Sequence, residues 1–203
     1  MPTSSQIEYR AFAVDELRVS EADGKTVIAG HAAVFNKMSV EMYGFREVIA
    51  PGAFADSLKS ADVRALINHD PNLILGRNKA GTLRVAEDKK GLAIEIDPPD
   101  TQASRDLLVS MGRGDIDQMS FGFRTVEDKW ETKDGKDVRT LLKVDLFDVS
   151  PVTFPAYEDT DVGVAQRSLE AWRTELEAGD AGSHDVQRNL ALMRVRAIQA
   201  SIE

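Results

Sequence analysis

There is no cysteine in the 203 residues. That excludes disulfides, a thiolate nucleophile and any Cys-based zinc site. Histidine is scarce: His31, His69 and His184 are the only imidazoles, so chemistry that needs a base titrating near neutrality must use one of them. No apolar run approaches the roughly 18–20 residues that a membrane span needs. The opening stretch MPTSSQIEYRAF lacks the charged flank and apolar run of a secretory signal. The expectation is a soluble, intracellular protein with no membrane contact. Basic residues are in deficit as well. With 25 Lys and Arg against 34 Asp and Glu, the net charge is −9, the wrong sign for gripping a phosphate backbone. No direct nucleic-acid partner is expected.

What remains is an ordinary globular composition, 42% hydrophobic, enough for a normal core. YRAFAVDELRV and TVIAGHAAVFN are β-leaning runs separated by SEADGK, and the pair reads as a hairpin. Ala50 to Asp62 reads as a short helix, with Phe54, Leu58 and Ala61 as its apolar set. Val63 to Asp70 reads as a buried strand that stops at Pro71. LILGR, TLRVAED and GLAIEID read as a three-stranded meander. The period then changes: Thr101 can cap a helix through Leu107, Leu108 and Met111 that closes at Gly112 or Gly114. A strand through GDIDQMSFGFR runs to about Trp130, turns at Asp134-Gly135 and returns as TLLKVDLFDVS. From about Asp159 the spacing of Leu169, Trp172 and Leu176, and then of Val186, Leu190, Met193 and Ala197, predicts a helix–linker–helix tail. The fold class is therefore α+β, with a mixed or antiparallel sheet or a closed barrel in residues 1–158 and a helical tail with a flexible linker in residues 159–203.

The strand through GDIDQMSFGFR divides its side chains between two faces. Met119, Phe121 and Phe123 share one; Ser120, Gly122 and Arg124 share the other. That second face is either solvated or a platform for chemistry. A serine hydroxyl needs a base to become nucleophilic. His69, at the end of an apolar strand between Asn68 and Asp70, is the best-placed candidate. A third group should fix the imidazole tautomer, and Asp148 ends a row in which Leu142, Val144, Leu146 and Asp148 alternate on one face. Arg124 shares the face of Ser120 and is a candidate for substrate placement. Plainer alternatives stand beside these: Ser120 facing solvent, His69 as a bonded strand-end residue, Asp148 capping the turn into Ser150-Pro151, Arg124 as a surface arginine. His31 reads as a partly exposed strand residue, and His184 lies in a polar linker. DIDQ lacks the glycine and glutamate offsets of a calcium loop. The residues leave open a hydrolase of small esters or amides and a non-enzymatic assembly protein that binds through its tail.

Several segments together narrow this choice. INHD, GDIDQMSFGFR and KVDLFDVSPVTFPAYEDT, with GHAAVFN, REVIAPGAFADSL and GLAIEID, resemble the tailed-phage prohead maturation proteases, serine peptidases distantly akin to the herpesvirus assemblins. The resemblance spans most of residues 7–160, with the motifs in the family's order. It implies a largely antiparallel β-barrel flanked by helices. It implies that His69 is the base, Ser120 the nucleophile and Asp148 the orienting acid, at a position where many relatives carry Glu; Asp145 is a reserve. No metal or organic cofactor is implied. The implied partners are a major capsid protein precursor with its scaffolding segment, and the chain itself through self-association and autoprocessing. The implied setting is the host cytoplasm, inside the assembling prohead. The oxyanion donors are sought between Pro151 and Tyr157.

Overall fold

The computed structural model describes residues 6–13, 17–22, 25–42, 44–154 and 163–177. In chain order the elements are β1 (Glu8–Ala13), β2 (Arg18–Ala22), β3 (Lys25–Val34), β4 (Phe45–Ile49), β5 (Arg64–Ile67), β6 (Asp70–Arg77), β7 (Leu83–Glu87), β8 (Gly91–Ile96), α1 (Gln102–Arg113), β9 (Gln118–Lys133) and β10 (Lys136–Val152). A further helix spans residues 163–177. The protein is mostly β, with helices, in keeping with an α+β class. The chain divides into two units, residues 1–164 and 165–203.

The strands form two sheets. One has the order β1-β9-β10-β5-β6, with β4 also on β10; the other has the order β2-β3-β8-β7. The barrel expectation is therefore corrected: among the described residues neither sheet closes, because β1 and β6 end the first and β2 and β7 end the second. The reason lies in β10. Its outer side is shared by two short parallel strands, β4 beside 137–141 and β5 beside 148–149. The chain between them stitches the gap. Ala50 N–H donates to the Leu141 carbonyl (3.0 Å) and Val144 N–H to the Ala53 carbonyl (3.0 Å), while Leu146 N–H donates to the buried Ser57 Oγ (2.8 Å). These bonds explain why residues 50–62 form turns with one short 3₁₀ segment, Ser57–Lys59, rather than the expected helix. The segment keeps local turn bonds, such as Leu58 N–H to the Phe54 carbonyl and Ala61 N–H to the Ser57 carbonyl, while Ala50, Ala53 and Ser57 spend their free polar groups on β10.

The remaining sequence readings divide in the same way. YRAFAVDELRV splits: its first half is β1, paired with β9, and only its end joins β2, which forms the hairpin with β3. LILGR belongs to β6 in the first sheet, so the three-stranded meander does not form; β7 and β8 pair in the second. Thr101 caps α1 through Ser104 N–H, and Gly114 closes it at φ 81°. The Asp134-Gly135 turn has φ of 53° and 74°, the pattern of a type I′ hairpin. The predicted helix around Val186 to Ala197 lies outside the described residues.

Between the sheets sits one core. Met119, Phe121 and Phe123 are wholly buried and join Ile28, Ile94 and Ile96 of the second sheet, with Leu107 of α1. Phe121 packs edge-on to Phe54 at 5.4 Å and beside Phe123 at 4.9 Å. At the end of this core lies a buried ionic cluster that the sequence patterns do not signal. Glu8 and Arg10 of β1, Glu47 of β4 and Arg139 of β10 are all buried. Arg139 Nη1 donates to Glu8 (2.8 Å) and Glu47 (3.1 Å), and its Nε to Asp128 (2.7 Å). Arg10 donates to Glu47 from Nε (2.9 Å) and to Glu8 from Nη2 (2.9 Å). Thr125 Oγ1 donates to Glu8 (2.6 Å) and accepts from Arg139 Nη2 (3.0 Å). The cluster ties β1, β4, β9 and β10 together.

Candidate active site

Strand β5 ends at Ile67 and β6 begins at Asp70, so Asn68 and His69 alone make the turn. Both have positive φ, 51° and 59°, as a two-residue type I′ hairpin requires. Asn tolerates this region better than most residues, and His is enriched there as well. Pro71 does not end the strand: the chain turns before it and continues as β6. Asn68 fastens the turn to the end of β10. Its N–H donates to the Pro151 carbonyl (3.1 Å), its Oδ1 accepts from Thr153 N–H (2.8 Å), and its Nδ2 reaches Thr153 Oγ1 (3.2 Å). His69 is thereby held over the outer face of the first sheet.

That face is assembled by register. Ser120 of β9 lies opposite Ser150 of β10 and Ala11 of β1; Gly122 lies opposite Asp148 and Tyr9. Paired residues share a face, so Ser120 and Asp148 face the same way from neighbouring strands. A β-bulge decides this for Asp148. The ladder shifts between Leu146 and Asp148, so Phe147 is the extra residue and the alternation breaks. Leu146 and Val149 enter the core, while Asp148 turns outward. The expected row of Leu142, Val144, Leu146 and Asp148 on one face is thus wrong, although Asp148 arrives where it was sought.

His69 Nδ1 lies 2.5 Å from Asp148 Oδ1, and Nε2 lies 2.7 Å from Ser120 Oγ. A carboxylate only accepts, so Nδ1 carries the proton, which leaves Nε2 as an acceptor for the Ser120 hydroxyl. Ser150 Oγ donates to the same Asp148 Oδ1 at 2.8 Å. The three sequence-predicted residues therefore meet in one chain of hydrogen bonds. Chemically, that chain can draw a proton from an alcohol and hold the resulting imidazolium beside a carboxylate. Ser120 and Ser150 have no exposed surface.

The other candidates fall elsewhere. Asp145, the reserve acid, pairs with Arg124 at 3.1 Å, and the Arg124 guanidinium lies 5.5 Å from the Phe147 ring. Arg124 is thus engaged in an ion pair on a part-exposed strand. His31 sits in the second sheet, 2.8 Å from Asp88. That bond, with backbone N–H donors from Gly91 and Lys90, lowers the Asp88 carboxyl to about 2. His184 lies outside the described residues. In the segment sought for oxyanion donors, Pro151 has no N–H, Thr153 already gives its N–H to Asn68, and residues 155–157 lie outside the described residues.

Two supporting residues escaped the sequence reading. Ser150 had a signal: a hydroxyl two residues from a carboxylate on one strand shares its face. Gly122 had a weaker one, a glycine within a strand, which marks close approach. A Cβ on Gly122 would lie 2.2 Å from Asp148 Oδ2 and 2.9 Å from the Tyr9 ring. Gly122→Ala should therefore push the Asp148 carboxylate off His69. The expected cost is on the order of 10²–10⁴-fold in turnover, the scale of a displaced group in a hydrogen-bonded relay of this kind. Steady-state kinetics of that variant, beside its thermal unfolding, check this; wild-type turnover would mean the carboxylate has room to stay.

A hydroxyl, an imidazole and a carboxylate thus lie in a single chain of hydrogen bonds. The sequence profile of the caudovirus prohead serine proteases matches residues 14–175, and the chain belongs to that family, the capsid-maturation proteases of tailed phages. No protein of curated function matches the chain. Among solved structures, it is similar to the bacteriophage T4 capsid assembly protease gp21, with 10% identity and a TM-score of 0.47 over 72% of this chain and 97% of that one.

Proposed function

We propose that this protease is a serine endopeptidase, with Ser120 as nucleophile, His69 as general base and then acid, and Asp148 as the orienting carboxylate. The observation that carries the proposal is the single imidazole bonded at 2.7 Å to Ser120 and 2.5 Å to Asp148. Ser120 Oγ attacks the scissile carbonyl carbon as His69 Nε2 takes the hydroxyl proton. The tetrahedral intermediate collapses, the C–N bond breaks, and Nε2 returns the proton to the leaving amine. Water then attacks the acyl-enzyme by the same route in reverse, freeing the acid and restoring the Ser120 hydroxyl. Asp148 holds the tautomer and stabilises the imidazolium; Ser150 fixes Asp148 Oδ1.

The substrates we propose are the capsid protein precursor, cut to release its scaffolding segment, and this chain's own C-terminal region, inside the assembling prohead in the host cytoplasm. None of the described helices is long and apolar enough to cross a membrane. The test is mass spectrometry of a capsid precursor co-expressed with this chain or with its His69→Ala variant. Shortened precursor and shortened chain are expected only with the intact His69. Equal processing by both would overturn the assignment.

The two carboxylates can also be separated. Asp148→Asn should cut turnover by about 10⁴-fold, since the amide favours the wrong tautomer. Asp145→Asn loses only a part-exposed pair with Arg124, and its turnover should stay within about twofold of the wild type, as pairs of that exposure contribute little. If Asp145→Asn proves the more damaging in the same peptide assay, the orienting role moves to Asp145.

A further inference from the structure

We infer that Tyr9 is a positioning residue for the imidazole of His69, and that the buried ionic cluster is the mount that holds it there. This rests on the reading of His69, Ser120 and Asp148 as a catalytic relay. Tyr9 lies in the cross-strand row Tyr9–Gly122–Asp148, and His69 bonds to Asp148 at one end of that row and packs on Tyr9 at the other. The two ring centroids are 4.3 Å apart at an interplanar angle of 55°. The missing side chain at Gly122 is what lets Tyr9 and Asp148 approach from either side: its Cβ would meet both, at 2.9 Å and 2.2 Å. Asp148 and Ser120 each hold the imidazole through one nitrogen, along its edge. Two in-plane bonds leave the ring free to swing about the axis between them. Tyr9 packs against the ring itself and restrains that swing.

The strand that carries Tyr9 is an edge strand of the first sheet, and edge strands open more readily than central ones. The residues on either side of Tyr9 prevent this. Glu8 and Arg10 alternate with it and point to the opposite, core-facing side, where they bond to Arg139, Glu47 and Thr125. Arg10 Nη1 also donates to the backbone carbonyl of Tyr9 at 2.8 Å, and its guanidinium lies 5.6 Å from the Phe123 ring. The period of two in a β-strand thus places a charged anchor at each neighbour of Tyr9 and the ring itself on the catalytic face. The ionic cluster acts on the site through β1, at one remove from the reacting atoms.

The test compares Tyr9→Leu with Tyr9→Phe. One readout is proton NMR of the hydrogen on His69 Nδ1, whose short bond to Asp148 places its resonance far downfield. The other is kcat and KM on a peptide spanning the bond that the wild type cuts. In Tyr9→Leu the Nδ1 proton signal should broaden or vanish, and kcat should fall roughly 10- to 100-fold, the scale of a misplaced catalytic group. KM should stay within about twofold, because ground-state binding is untouched. Tyr9→Phe, which keeps the ring, should recover the signal and most of the lost turnover. Equal signals and equal kcat in wild type and Tyr9→Leu would overturn the inference; so would a Tyr9→Phe variant as poor as Tyr9→Leu, which would assign the effect to the hydroxyl. If Tyr9→Leu fails to fold, Tyr9→Met fills the volume with a flexible chain and carries the same comparison. A Ser120→Ala control separates the two levels: residual wild-type cleavage there removes the catalytic reading, whereas a dead Ser120→Ala beside a fully active Tyr9→Leu removes only the role of Tyr9.

Discussion

Ser120→Ala should lower turnover on a capsid-derived peptide by about six powers of ten, the loss seen when a serine protease is stripped of its nucleophile. Binding of the peptide should survive, because the surrounding surface is unchanged. Stability should hardly move. Among the described residues the serine hydroxyl bonds to His69 Nε2, and a neutral imidazole that loses a hydroxyl donor keeps its tautomer through Asp148. The methyl of alanine fits among Ala11, Ser150 and Gly122, which surround the position. Thermal unfolding within a degree or two of the wild type, with processing of the precursor abolished, is the expected pair of results. Comparable cleavage by the variant would place the nucleophile elsewhere. A large drop in melting temperature would mean instead that Ser120 serves the fold.

Part of the fold around the site was readable in the chain because it depends on short-range features. The alternation of Met119, Phe121 and Phe123 against Ser120 and Gly122 follows from the two-residue period of a strand, and the structure buries the first set in the core. Thr101 and Gly114 bracket α1 through local capping chemistry. What could not be read is pairing at a distance. Nothing in YRAFAVDELRV says that its first half joins β9 in one sheet while its end joins β3 in the other. Residues 50–62 carry a helical apolar spacing, yet their backbone and Ser57 fill the gap that β4 and β5 leave along β10. The bulge at Phe147 is the clearest case. A strict alternation would put Asp148 on the face of Leu146 and bury it in the core. One inserted residue places it opposite Gly122 instead. His69 was legible as a strand-end histidine, but not as a residue of a left-handed turn whose geometry carries the ring back over the sheet.

The same long-range logic hid the ionic cluster, whose charges come from four strands, and it sets the largest stability effect expected of a single substitution. Arg139 is about 1% exposed and bonds to Glu8, Glu47, Asp128 and Thr125. Burial alone would lower its pKa, but the charges of Glu47 and Glu8 outweigh this and hold it above the ordinary arginine value. Burial likewise pushes the Glu8 carboxyl up, while Arg139 and Arg10 together pull it below its usual range. Arg139→Met would leave two buried carboxylates with Arg10 as the remaining arginine between them. The expected cost is about 3–5 kcal/mol, or roughly 10 °C in melting temperature for a chain of this size. Adding Glu8→Gln to that variant should recover part of the loss, since it removes the charge left uncompensated; a double-mutant cycle measures the coupling. The pH dependence has a fixed sign. Because the folded state lowers the pKa of Glu8, its contribution is complete above the ordinary carboxylate range and is lost as pH falls through the depressed value. Wild-type protein should therefore lose stability on acidification through that window, and Glu8→Gln should lose less. If Arg139→Met melts with the wild type, or if Glu8→Gln shows the same acid slope, the cluster contributes nothing to the fold that β1 needs in order to hold Tyr9 against His69.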